Sequence, residues 1–133
     1  MRILIVDDHP LVLTGCKQIL TAQNGFEEVA GASNAEAAFS SYLTSRPDVA
    51  IVDISLPGTS GLELTKRILR HDAEARIVIF SMNDSDFFVN RAIRAGAKGF
   101  VSKCEDPCTL VSAVRAVKGG GVFLAPRVGA HEL

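Results

Sequence analysis

Residues 49–53 read VAIVD, four aliphatic residues in succession and then a carboxylate. A half-buried strand alternates apolar and polar residues, whereas a short unbroken aliphatic run suits a strand covered on both faces. The same grammar recurs along the chain. Ile3 to Val6 runs into Asp7 and Asp8, Ile77 to Phe80 into Ser81, and Phe100 to Val101 leads to Lys103, with a further apolar run at Val29 to Ala32. Between these runs apolar residues recur three and four apart, the period of a helix resting on a sheet. Val12, Cys16, Ile19 and Leu20 form the first such set, and Ala35, Ala38, Phe39, Tyr42 and Leu43 the second. Leu64 and Ile68, then Phe88 and Ala92, then Leu110, Val114 and Val117 complete the series. Asn34 and Asp84 are placed to cap helix starts, Pro10 and Pro107 to occupy first turns, and Gly119 to Gly121 to stop the last helix. Five strands alternating with five helices predict a doubly wound α/β fold, a parallel sheet with right-handed crossovers.

The whole chain of 133 residues suits one hydrophobic core. Its 47% hydrophobic and 22% charged residues exclude disorder and collagen-like repeats. Lys and Arg number 14 against 15 Asp and Glu, and the resulting net charge of -1 supplies no overall attraction for nucleic acid or anionic lipid. Direct nucleic-acid contact by these residues is therefore not expected. Cys16, Cys104 and Cys108 are an odd set in a chain that needs no staples, which predicts reduced thiols in the cytoplasm. No apolar run approaches the ~18 residues that span a bilayer, and MRILIVDD turns acidic too soon for a signal peptide, so no membrane association is expected.

In an open parallel sheet the loops after the strands' carboxyl ends build the site. Asp7, Asp8, Asp53, Ser81 and Lys103 all fall there. Any one of them alone reads equally well as a helix cap or a solvent-facing turn residue. Together they differ, because carboxylates about 4 Å apart repel by roughly 1 to 4 kcal/mol per pair, and one ammonium does not balance three of them. A divalent cation is implied, and oxygen ligands favour Mg2+ or Mn2+ over zinc. Metal, ammonium and hydroxyl donor together suit a phosphoryl group, and a central carboxylate can act as its nucleophile. Asp53 is central by strand order.

Four segments in order, ILIVDDHPLVLTG (3–15), VDISLPGTSGLEL (52–64), the Ser81 that ends RIVIFS, and GAKGFVSK (96–103), resemble the receiver domain of bacterial two-component response regulators. The DDHPLVLTG start and the VSK ending are similar to the NarL/FixJ group, whose receivers precede a LuxR-type helix-turn-helix. The resemblance implies the CheY-like, flavodoxin-like strand order 2-1-3-4-5 and a phosphoryl group accepted by Asp53 from a sensor histidine kinase or phosphotransfer protein. It further implies Mg2+ held by Asp7, Asp8, Asp53 and the backbone carbonyl of Ser55. Ser81 and Lys103 would bind the phosphoryl oxygens, and Phe100 would be the switch aromatic that turns into space vacated by Ser81. Ser55, Met82 and Asn83 would tune the lifetime of the phosphorylated state. Residues 1–121 would be the receiver and 122–133 a tail or the start of a linker, with a DNA-binding domain expected after residue 133 and a homodimer on phosphorylation.

Departures and rivals also shape the expectation. Cys104 stands where many receivers place a cis proline after the lysine, and Met82 where a small residue is common. A stand-alone receiver acting through protein partners is one alternative. A haloacid-dehalogenase-like phosphatase is another, but Asp53-Ile54-Ser55 lacks the second acid of its D-x-D motif. A nucleotide-binding module would need a glycine-rich loop after the first strand, which is missing. Cys104 and Cys108 could hold a metal only with further ligands. His9 either lines the acid pocket or faces solvent.

Overall fold

The computed structural model describes residues 1–125. In chain order the elements are β1 (Arg2–Val6), α1 (Pro10–Thr21), β2 (Glu28–Ala32), α2 (Ala35–Ser45), β3 (Val49–Val52), α3 (Gly61–His71), β4 (Ile77–Ser81), α4 (Asp86–Ala95), β5 (Gly99–Ser102), α5 (Pro107–Lys118) and β6 (Phe123–Ala125). All strand pairs are parallel, in the order β2-β1-β3-β4-β5-β6. The doubly wound α/β expectation and the order 2-1-3-4-5 hold, with one addition. Residues 123–125, assigned from sequence to a tail beginning at 122, form a sixth strand in register with Gly99 to Val101. Three residues after a glycine run carry no period, so their strand character comes from the open edge of β5 rather than from local pattern. The rest of that predicted tail, 126–133, lies outside the described residues.

Alternation along the buried strands divides the interior into two layers. Leu4, Val6, Ala50, Val52, Ile77, Ile79 and Phe100 face one layer, closed by α2, α3 and α4 through Ala38, Tyr42, Leu64, Ile68 and Ala92. Ile3, Ile5, Val49, Ile51, Val78 and Val101 face the other, closed by α1 and α5 through Cys16, Leu20, Leu110, Val114 and Val117. Both faces of β1, β3 and β5 are thus dry, which is why their sequences lack polar alternation. The edge strand β2 is exposed at Glu28 and Gly31, and its pattern is correspondingly mixed.

Helix termini follow local chemistry with one exception. The Asn34 side chain accepts from the Ala37 N–H at 2.8 Å, and Pro10 and Pro107 open α1 and α5. Asp84 does not cap α4. The N-cap there is Ser85, which makes no side-chain capping bond, while the Asp84 carboxylate accepts instead from the buried Ser102 hydroxyl at 2.7 Å. A buried hydroxyl without a partner is costlier than an exposed helix end that water can satisfy.

The start of α3 lies directly on β3. The Gly61 N–H donates to the Ile54 carbonyl at 2.7 Å, and a Cβ at Gly61 would run into the Asp53 carbonyl oxygen. Gly15 inside α1 has open space around the same position. Gly61→Ala should therefore lower stability by about 1–3 kcal/mol through enforced backbone displacement, whereas Gly15→Ala should raise it by about 0.5–1 kcal/mol. Urea unfolding of the two variants checks this, and equal midpoints would contradict it.

Candidate functional site

Backbone ladders deliver the predicted residues to one edge. The Asp7 N–H donates to the Ala32 carbonyl, that of Asp53 to Val6, and that of Lys103 to Ser81, so each polar residue extends its strand by one step. Asp7, Asp8 and Asp53 come together with Lys103. The Lys103 ammonium donates to Asp7 Oδ2 at 2.6 Å and to Asp53 Oδ2 at 3.0 Å. Side-chain exposures of 9% for Lys103, 1% for Asp7 and 3% for Asp53 make this a buried charge triad. Asp8 sits at the rim, more open to solvent.

His9 belongs to the pocket while its ring remains largely open to solvent. Its Nδ1 lies 2.9 Å from Asp7 Oδ1 and 3.2 Å from Asp8 Oδ1, and its N–H also donates to Asp7 Oδ1 at 2.9 Å. Ligand atoms of Asp7, Asp8, His9 and Asp53 all lie within 4.8 Å of one another. Mostly hard oxygen donors in a net anionic pocket suit a Mg2+-like ion. No third ligand joins Cys104 and Cys108 in such a cluster among the described residues, and both thiols are exposed. Burial pushes the Cys16 thiol up to about 11, fitting a core residue.

Burial also raises the Asp53 carboxyl above its ordinary range, the charge of Asp7 adding to that and Lys103 opposing it. For Lys103 burial disfavours the charge, but the hydrogen bonds and charges of Asp7 and Asp53 outweigh it and raise the ammonium. Lys103 is therefore a fixed cation at neutral pH.

The remaining predicted residues form a rim around the triad or lie beneath it. Ser81 is fully buried, and its Oγ accepts from the Asn83 N–H at 2.9 Å, which uses a lone pair and leaves the hydroxyl hydrogen available. Asn83 Nδ2 donates to Ser55 Oγ at 2.9 Å, tying the β4–α4 loop to the β3–α3 loop, and the Ser55 N–H reaches Asp53 Oδ1 at 3.3 Å. Met82, 63% exposed, points to solvent. Phe100 is wholly buried in the layer under α2, α3 and α4, so the expected inward turn has no exposed starting position in this conformation. All described peptide bonds are trans, that between Lys103 and Cys104 included. Buried Ser102 and half-buried Asp84 complete the neighbourhood as a polar pair whose role was not read from sequence. The available signal was a serine inside an otherwise apolar strand, directly before the lysine.

A family defined as the response regulator receiver domain matches residues 3–115. The chain belongs to that family. This receiver is 36% identical over 125 residues to the response regulator UvrY of Escherichia coli K12, covering 94% of this chain and 57% of that protein. It is similar to the crystal structure of a LuxR-family two-component response regulator from Aurantimonas sp. SI85-9A1, with TM-score 0.91, 38% identity, and 96% and 91% of the two chains covered. It is also similar to the isolated receiver of RcsB from Salmonella enterica solved with the phosphomimetic BeF3-, with TM-score 0.85, 28% identity, and 93% and 92% covered. These likenesses group the receiver with LuxR-type response regulators, and it spans about three-fifths of the length of the curated relatives it matches.

The raised Asp53 carboxyl carries a stability consequence. A carboxyl that holds its proton more tightly folded than unfolded costs stability above the unfolded value of about 3.9, and the cost vanishes below it. Asp53→Asn should therefore melt higher than wild type in chelator at pH 7, by on the order of 1 kcal/mol for a relieved like-charge pair, with the gap closing toward pH 4. Thermal unfolding at both pH values checks this, and a variant that melts lower at pH 7 would refute it.

Proposed function

We propose that this receiver is the phosphoacceptor module of a two-component regulator, with Asp53 taking a phosphoryl group from the phosphohistidine of a sensor kinase or phosphotransfer protein. The observation that carries the proposal is the Lys103 ammonium held simultaneously by buried Asp7 and Asp53 beside Asp8. An Asp53 carboxylate oxygen attacks phosphorus, the P–N bond to the donor imidazole breaks, and the imidazole leaves with that electron pair. Attack of water on phosphorus later breaks the P–O bond to Asp53, which releases inorganic phosphate and restores the carboxylate. Asp7, Asp8, Asp53 and the Ser55 carbonyl would hold Mg2+ or Mn2+, which neutralises charge on the phosphoryl oxygens.

The chain's own residues supply the rest. Lys103 exchanges one Asp53 oxygen for an oxygen of the phosphoryl group, and that group carries about two negative charges where the carboxylate carried one. Ser81 donates its uncommitted hydroxyl hydrogen to another. Phe100 begins buried, so the switch is a repacking of this side chain in its layer as Ser81 moves, felt by α4 through Val89 and Ala92. A cavity of about 220 Å3 between α1 and α5, lined by Leu11, Ile19, Phe80, Lys103, Pro107 and Leu110, opens beside the same edge. Leu11 is 88% exposed there, and the apolar lining is the chemistry that would receive an apolar helix of the phosphodonor.

The output we infer is transcriptional and cytoplasmic, through a LuxR-type helix-turn-helix carried by the full-length protein and a homodimer formed on phosphorylation. Support comes from the LuxR-type relatives and from the near-neutral charge, which offers DNA no footprint on these residues. No helix among the described residues is long and apolar enough to cross a membrane.

Acetyl phosphate with Mg2+ should add one labile phosphoryl group to the wild type by intact mass, and none to Asp53→Asn. An adduct that persists in the variant removes Asp53 from its role, and steady turnover of free phosphomonoesters would favour a phosphatase. Ser55→Ala and Asn83→Ala each break the bond across the mouth of the pocket and admit water. Both should shorten the phosphorylated lifetime by roughly threefold, the order of one modest hydrogen bond, as followed by loss of the adduct after desalting.

A further inference from the structure

Ser102 immediately precedes Lys103 and is fully buried on a strand whose neighbours are glycine, phenylalanine and valine. Its hydroxyl donates to Asp84 Oδ2 at 2.7 Å and accepts from the Cys104 N–H at 3.1 Å. The Lys103 N–H donates to the Ser81 carbonyl at 2.9 Å. The backbone is thus fastened at Lys103 itself and on both sides of it. Asp84 lies three residues beyond Ser81, one beyond Asn83, and is turned inward although α4 begins beside it with no side-chain cap. A carboxylate that serves a buried hydroxyl in place of the nearest helix start couples the β4–α4 loop, which follows the hydroxyl donor Ser81, to the end of β5, which precedes the cation Lys103.

We propose that Asp84 and Ser102 are a positioning pair for the phosphoryl transfer, fixing Lys103 between Asp7 and Asp53 and making Ser81 and Lys103 close on the phosphoryl group as one unit. The inference rests on the phosphoacceptor reading of Asp53 and names two residues that never touch the phosphoryl group. Without the pair, Cys104 loses its acceptor and the stem of Lys103 starts from a looser backbone. The ammonium then samples positions in which it meets only one carboxylate, and the rate of transfer falls while recognition of the small donor is kept.

Four variants and one amide measurement test the pair. With acetyl phosphate and Mg2+, Ser102→Ala and Asp84→Ala should each lower the maximal phosphorylation rate by about fivefold, the order of one hydrogen bond to a charged group, with the half-saturating acetyl phosphate concentration little changed. The double variant should be no slower than the slower single, because both break the same link. Asp84→Asn, which keeps an acceptor oxygen, should recover to within about twofold of wild type, as expected where a neutral acceptor replaces a charged one. Hydrogen exchange at the Cys104 and Lys103 amides needs no phosphoryl group, and it should quicken in Asp84→Ala with global stability measured alongside. Single variants phosphorylated like wild type, rate losses that multiply in the double variant, or unchanged exchange in Asp84→Ala would each overturn the pair. A wild type that takes no phosphoryl group would defeat the reading of Asp53 instead, and amide exchange alone would then decide whether Asp84 and Ser102 hold Lys103.

Discussion

One ammonium between two buried carboxylates sets the terms for this molecule. Asp7 and Asp53 end neighbouring strands, so the register that pairs Val6 with Val52 brings two negative charges together where little water remains. Lys103 makes the arrangement tolerable, and it does so from the far side of β4, because its backbone continues the ladder from Ser81. The parallel order is therefore more than a packing solution. A one-step slip in any of three registers would turn a charged side chain into a hydrophobic layer.

On the proposed phosphoacceptor reading, the same arrangement bears on reaction at Asp53 as well as on stability. The raised Asp53 carboxyl records that its charge is held against burial and against Asp7, with Lys103 only partly compensating. A group that spreads charge over more oxygens and recruits new donors relieves that conflict. Rigid surroundings make the relief consequential. Gly61 holds α3 against the Asp53 carbonyl, the Ser55–Asn83 bond spans the rim, and Ser102–Asp84 ties the β4–α4 loop to the end of β5, so displacement at Asp53 is passed to its neighbours.

What the sequence disclosed follows from the reach of each interaction. The strands were legible because VAIV and its counterparts must be dry on both sides, their order came only through the resemblance to receiver domains, and the acids were legible because they interrupt those runs at the loops where parallel sheets build sites. Strand β6 was not, since Phe123 to Ala125 pair only because β5 leaves an open edge. Asp84 was read as a cap because capping is a local rule, yet a hydroxyl 18 residues along the chain competed for it and won. His9 stayed open between pocket and solvent because its ring does both, bonding to carboxylates on one side while staying wet on the other. Phe100 was placed in the correct strand, but its full burial beneath α4 depends on packing that no residue pattern encodes.

Lys103 also stands where the two interior layers meet, and this gives the pocket two directions in which to report. Toward α1 and α5 its ammonium lies 5.8 Å from the centre of the Phe80 ring, which lines the apolar cavity with Leu11 and Leu110. Toward α2, α3 and α4 the other face of the strand carries Ser102 and then Phe100, the latter in the layer with Val89 and Ala92. A charge added at Asp53 pulls on a side chain that borders the first surface directly and, through β5, the second. On the proposed function, the surface that receives the donor and the surface that displays the result lie on opposite faces of one sheet, coupled through a single lysine.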